Sequence, residues 1–283
     1  MTAPVIDFRV RLPDEMRPEI DVPPEVWQQY QEVLGVQDKL KLGFEDLKAE
    51  MDACGVSHAV IHAEYEIGDP ADAMNETVAE LVKADPKRFS GVGTVSMERF
   101  KVMRAVAQVQ RCADLGLVGI SLQPSFFRMP ICERTLYPVY AKAAECGLMV
   151  ALHTGINYGV THPMRHDDPL QLDDLACDFP DLKLIAAHAG WPWAAQMVAV
   201  ARKHPNVYME FGGLAPKYVG QPGTGWEVVR RFMDSVCQDQ ILYGTDWPVM
   251  SQERTLAEWR EMGLKPQVEE KLLGGNAARL LGR

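Results

Sequence analysis

Three apolar runs in this chain each end in a side chain that can move a proton: LMVALHTG at His153, LKLIAAHAG at His188 and ILYGTDWP at Asp246. A fourth run, VIDFRVR, carries Arg9 and Arg11 two residues apart. A strand's period of two puts both guanidinium groups on one face, together with Asp7. Histidine and aspartate serve as general acids and bases. Arginine is a permanent cation that grips a carboxylate through parallel N–H donors or stabilises a developing oxyanion. The set therefore suits proton transfer on a small anionic substrate. Each residue alone has a plainer reading: a hydrogen-bonded core histidine, a helix-capping aspartate, or a salt bridge of Asp7 or Asp246 with Arg9 or Arg11. Burying all five with no role would be costly, so together they read as one site.

Positioning them requires a fold that gathers strand ends. Strand-like runs recur at 5–11, 58–65, 89–96, 118–124, 148–155, 182–190, 207–213 and 241–247. Their continuous apolar character implies burial on both faces, as in parallel sheets. Helical periodicity fills most gaps. Met103, Val106, Val109 and Ala113 share a face in 100–116, and Met74, Val78, Leu81 and Val82 share one in 70–84. Asp69 and Pro70 suit the start of the latter helix, and Gly116 and Gly147 stand where helices should stop. Eight strand–helix cycles predict an α/β fold, a (β/α)8 TIM barrel, as a single domain over 1–283. A doubly wound sheet is the rival. Residues 12–44, rich in Pro, Glu and Asp, read as an insertion after the first strand, over the pocket mouth.

With 283 residues, 47% of them apolar, the chain can bury a large core. A net charge of −10 disfavours nucleic acid and acidic membranes as partners. Six scattered cysteines, none in a C-x-x-C pair, argue against a disulfide framework and for a reducing compartment. With no secretion signal and no run long enough to cross a bilayer, the expectation is a cytoplasmic protein.

Other polar residues are weaker candidates. Asp72, Glu76 and Glu80 form a solvated stripe, and His58 and His204 read as structural or exposed. His62 and Glu64 share a face of the second strand and reach the pocket if it points inward; Glu210 is either a pocket acid or a salt-bridge partner. The loop NYGVTHPMRHDDP should overlie the pocket, offering Tyr158 and Arg165 as substrate contacts beside His162 and His166. Trp191 and Trp247 wall the pocket or pack over its rim, and Arg128 is a further candidate.

The opening IDF, the blocks LGLVGISLQPSF and LYPVYAKAAECGLMVALHTG, the motifs AAHAGWPW and LYGTDWP and the closing GGNAARLL, in this order, resemble the amidohydrolase superfamily. The resemblance is to the amidohydrolase-2 branch, which holds aminocarboxymuconate semialdehyde decarboxylase, resorcylate decarboxylases and pyrone dicarboxylate lactonase. It implies a TIM barrel, a small carboxylated substrate and a homo-oligomer. In metal-dependent relatives the first strand carries Asp-x-His-x-His, and both histidines bind a divalent ion with later His and Asp residues. Here His153, His188 and Asp246 match, but arginine stands at both first-strand histidine positions. A guanidinium about 5 Å from a divalent cation costs roughly 7 kcal/mol at an effective dielectric of about 20.

The expectation is thus a metal-independent, cofactor-free hydrolase of a lactone or activated ester. Arg9 and Arg11 hold the anion, Asp246 is the general base, and His188 and His153 polarise the carbonyl or protonate the leaving oxygen. Two alternatives stand beside it: a metal-dependent non-oxidative decarboxylase, with zinc or manganese on His153, His188 and Asp246, and a catalytically silent anion-binding barrel.

Overall fold

Eight parallel strands pair in sequence order in the computed structural model, which describes residues 4–16, 28, 31–32, 35, 39–64, 70–159 and 161–283. They are β1 Val5–Arg11, β2 Val56–His62, β3 Phe89–Gly93, β4 Gly119–Leu122, β5 Met149–His153, β6 Leu184–Ala187, β7 Val207–Glu210 and β8 Ile241–Leu242. The principal outer helices are α1 Phe44–Cys54, α2 Ala71–Ala84, α3 Val102–Asp114, α4 Tyr137–Glu145, α5 Gln171–Asp178, α6 Ala194–Lys203, α7 Glu227–Met233 and α8 Gln252–Glu261. The chain folds as a TIM barrel.

β8 is far shorter than the predicted 241–247 because Asp246 adopts a left-handed backbone, φ 57°, which breaks a regular ladder. Its pairing with β1 continues irregularly. Phe8 donates to the Tyr243 carbonyl at 2.8 Å, Asp246 to that of Arg9 at 2.9 Å and Arg11 to that of Trp247 at 2.9 Å, closing the ring.

Strand alternation builds the interior in layers. Ile6, Phe8, Val60, Val92, Met149, Ala151, Ile185 and Leu242 fill an apolar floor capped by the C-terminal Ala277 and Leu280. Two residues above Val60, Met149–Ala151 and Tyr208 along the same faces come His62, His153 and Glu210. β1 departs from this rule. A register shift between Asp7 and Val10 separates Asp7 from the face Arg9 uses. Asp7 is fully buried, accepting from Thr245 N at 3.0 Å, Thr245 Oγ1 at 2.6 Å and Gln252 Nε2 at 3.0 Å. It ties β1 to the turn after β8 and does not line the cavity, contrary to the period-two expectation.

A second apolar layer lies between strands and helices. α3 turns by about one position from the predicted face. Ala105, Gln108, Val109 and Cys112 are buried, whereas Met103 is 77% exposed. The polar Gln108 takes the inner place because its Oε1 accepts from Ser96 N at 2.8 Å. Gly116 and Gly147 do stop their helices, with φ of 76° and 70°. Asp69 and most of segment 12–44 lie outside the described residues. At the end of that segment Lys39 Nζ donates to the Val249 carbonyl at 2.8 Å. The six cysteines are free. No helix among the described residues is long and apolar enough to cross a membrane.

Candidate active site

One cavity opens at the carboxyl ends of the strands. It is lined by Arg9, Arg11, Glu64, Gln123, Phe126, His153, Gly155, Ile156, Tyr158, Ala187, His188, Trp191, Gly213, Leu214, Asp246 and Val249. Seven of the eight residues expected from sequence therefore meet in one place. The eighth, Arg165, is exposed, and its backbone carbonyl accepts from Gln171 Nε2 at 2.7 Å. Trp247 is buried elsewhere, its Nε1 donating to Glu50 Oε2 at 2.8 Å.

His153 ends β5, and its Nδ1 lies 2.6 Å from Oδ1 of the fully buried Asp167. With Nδ1 donating to Asp167, Nε2 is the nitrogen that a neutral imidazole leaves without a proton. Asp167, from the turn Met164–Asp167, is what the loop after β5 supplies in place of Arg165. Nothing in the run HDDP separates it from Asp168 by type; only its burial does. His188 follows β6, and its Nδ1 sits 2.8 Å from the Gly212 carbonyl. A carbonyl only accepts, so Nδ1 carries the proton and Nε2 is bare here too. Burial first, then His153 and Arg9, push the His188 pKa down to about 3, so this ring is neutral. The two imidazoles meet edge to face, centroids 4.9 Å apart, and Phe126 packs against His153 at 5.3 Å.

His188 and Asp246 both hold positive φ, 62° and 57°, as does Ala189 at 46°. Such strain costs about 1–3 kcal/mol per residue and persists only where the surroundings over-determine it. Glycines make room for it: a Cβ on Gly155 would lie 3.0 Å from His188 Cβ, and one on Gly213 would lie 3.1 Å from His188 Nδ1.

The arginines are not bare cations. Arg9, 1% exposed, bonds Glu210 through Nε at 2.7 Å and Glu64 through Nη1. Arg11 Nε lies 3.2 Å from the other Glu64 oxygen. Glu64 and Glu210, weighed from sequence only as secondary candidates, are thus the arginines' partners in place of Asp7 or Asp246. The two glutamates respond oppositely. Burial raises both, but Glu64 has two guanidinium neighbours, Arg11 and then Arg9, which bring it down to about 2. Glu210 has Arg9 alone, and burial holds its pKa above the usual value. Asp246 is 6% exposed and its Oδ1 has no hydrogen-bond partner among the described residues. Burial, then the Glu64 charge, drive its pKa well above the usual carboxylate range, against the pull of Arg11 and Arg9. His62 lies beneath, its Nε2 donating to the Phe8 carbonyl at 3.0 Å and its pKa lowered to about 3 by burial and Arg9.

The donor chemistry of His153, His188 and Asp246 would suit a divalent ion, because both imidazoles carry their proton on the outward-bonded nitrogen. The geometry does not. Among the described residues only Asp173, Cys177 and His204 bring three His, Cys, Asp or Glu donor atoms within 4.8 Å of one another. Arg9 and Arg11, which have no lone pair to offer a metal, line the same cavity. Placement is the stronger argument here, since Glu64 and Glu210 offset much of the charge repulsion expected from sequence.

Residues 6–283 match the Amidohydrolase family, and the chain belongs to it. Among curated proteins, 2-amino-3-carboxymuconate-6-semialdehyde decarboxylase of Dictyostelium discoideum is 22% identical over 241 residues, 76% of this chain and 67% of that one. An uncharacterized TIM-barrel protein from Bordetella bronchiseptica superposes with a TM-score of 0.82 at 29% identity, covering 98% of both chains. A dihydroxybenzoic acid decarboxylase from Polaromonas with bound manganese gives 0.71 at 18% identity over 100% of this chain and 98% of that one. A probable 2-pyrone-4,6-dicarboxylic acid hydrolase from Acinetobacter baumannii with citric acid bound gives 0.66 at 12% identity over 99% of both. Decarboxylases and a hydrolase thus share this fold, and the chain is an enzyme of that superfamily.

Proposed function

We propose that the protein is a metal-independent hydrolase of a small carboxylated lactone or activated ester. The observation that carries this reading is the His153–Asp167 pair at 2.6 Å in the same cavity as Asp246, whose Oδ1 is unpaired. Burial raises the Asp246 pKa well above the usual carboxylate range, which suits it to an acid's role beside a histidine oriented by a carboxylate. His153, oriented by Asp167, takes a proton from water at Nε2 while the water oxygen bonds to the carbonyl carbon. Asp246, held neutral by burial, hydrogen-bonds the carbonyl oxygen and then gives its proton to the ring oxygen as the C–O bond breaks. Asp246 therefore acts as the acid, the reverse of the role its sequence position suggested. Neutral His188 cannot donate from Nε2; it accepts a hydrogen bond from the attacking water. Arg11 anchors the substrate carboxylate, Arg9 supplies a fixed field, and Tyr158 and Trp191 wall the substrate in.

The second reading, decarboxylation, is favoured by the Dictyostelium relative. In it Asp246 protonates the carbon that loses carbon dioxide. A screen of carboxylated lactones and hydroxylated aromatic acids on chelator-treated protein distinguishes the two. Incorporation of oxygen from labelled water into a ring-opened acid supports hydrolysis. Carbon dioxide release that needs added manganese supports the alternative, and saturable binding without turnover supports a silent barrel.

A further inference from the structure

The cluster that does gather metal donors lies away from the cavity. Asp173 and Cys177 stand four residues apart on α5, hence on one face, and His204 directly follows α6. His204 Nε2 is 2.6 Å from Asp173 Oδ1, and all three ligand atoms lie within 4.8 Å of one another. α5 leads into β6 and α6 into β7, so the cluster sits at the amino ends of these strands, opposite the cavity. The His204 side chain is 11% exposed and the Asp173 side chain 33%, while Cys177 is exposed, so the group is anchored on one side and open to solvent on the other. Lys203 Nζ occupies it now, 2.6 Å from Asp173 Oδ1 and 3.9 Å from Cys177 Sγ.

The geometry points to a structural site for a zinc-class divalent cation on Asp173, Cys177 and His204, stapling α5 to the end of α6. A carboxylate, a thiolate and an imidazole form a borderline donor set that selects zinc over magnesium or calcium. Zinc takes nitrogen and oxygen at about 2.0–2.2 Å and sulfur at about 2.3 Å in a tetrahedron, so His204 and Asp173 must part by about 0.7–0.8 Å to admit it. The ion bonds Cys177 as the thiolate, whose proton goes to solvent. It also displaces Lys203, the cation already paired with Asp173. The family's metal, in the relatives that have one, sits in the barrel mouth, so this site is independent of the proposed hydrolysis.

The test titrates intact protein with zinc in a competing chelator, alongside Lys203→Gln, Cys177→Ser and His204→Gln. The expected result is one ion per chain lost in Cys177→Ser and His204→Gln, and bound about five- to tenfold more tightly in Lys203→Gln, as removal of a near-surface competing charge predicts. Cobalt in place of zinc should give a thiolate-to-metal absorption band in the wild type and Lys203→Gln, absent in Cys177→Ser. Zinc should also raise the thermal midpoint of the wild type. Lys203→Gln leaves all three ligands in place, so it tests the site even where a ligand variant folds poorly. No saturable binding, or binding untouched by all three substitutions, would overturn the assignment.

Discussion

Among single residues, the proposed chemistry depends on which carboxyl carries a proton. Asp246 must be protonated to act, and its pKa is raised, so kcat/KM falls as pH rises through that raised value. Asp246→Asn cannot ionise, so its residual activity loses this alkaline limb; a pH–rate profile of the two proteins checks it. Asp167→Asn leaves the fold intact but no longer fixes the His153 tautomer, and steady-state assays should show a loss of about 10²–10⁴-fold, the scale seen when an orienting carboxylate is neutralised. His153, His188 and Asp246 could be picked out from sequence because each closes an apolar run, a pattern visible in one dimension. Asp167 was invisible because two adjacent aspartates differ only in which one folds inward. Glu64 and Glu210 became necessary only when Arg9 was seen to be 1% exposed, since a buried guanidinium demands anionic partners.

Whole elements were legible to the extent that periodicity encodes them. Seven of the eight strands lie inside their apolar runs, and β2 starts two residues before its run, at Val56. Apart from β1, whose bounds match, the predicted strands overrun their carboxyl ends because the same residues leave the ladder to form the cavity rim. Asp246 shows this most clearly, its left-handed backbone accompanying a β8 that leaves regular pairing five residues before the predicted end. The face of α3 was misread because methionine was counted as apolar and glutamine as polar, while hydrogen bonding reversed their places. Thermal or denaturant unfolding tests the corrected face. Val109→Ala should cost about 1–3 kcal/mol as a buried deletion, whereas Met103→Glu should stay within about 0.5 kcal/mol. Gly155→Ala tests how closely β5 and the turn after β6 pack, because its Cβ would press the His188 ring; kcat should fall with little change in overall secondary structure.

For the whole molecule, the barrel can be divided into an apolar floor that holds it together and an ionic layer above that sets its chemistry. Glu64, at about 2 in the folded protein against an ordinary 4.5, is the member of that layer whose ionisation favours folding. A depressed carboxyl contributes stability above its unfolded value and loses it as pH falls through the folded one. The stability gap between wild type and Glu64→Gln should therefore be widest near neutrality and narrow from about pH 4.5 to about pH 2, measured by denaturant titration across that range. The measurement that bears most directly on the proposed chemistry is turnover of carboxylated lactones by protein stripped with a strong chelator, compared with His153→Gln and Asp246→Asn. Metal-independent hydrolysis requires that stripped wild type works at the untreated rate and that each variant loses about 10²–10⁴-fold. Activity abolished by stripping and restored by manganese or zinc would contradict it.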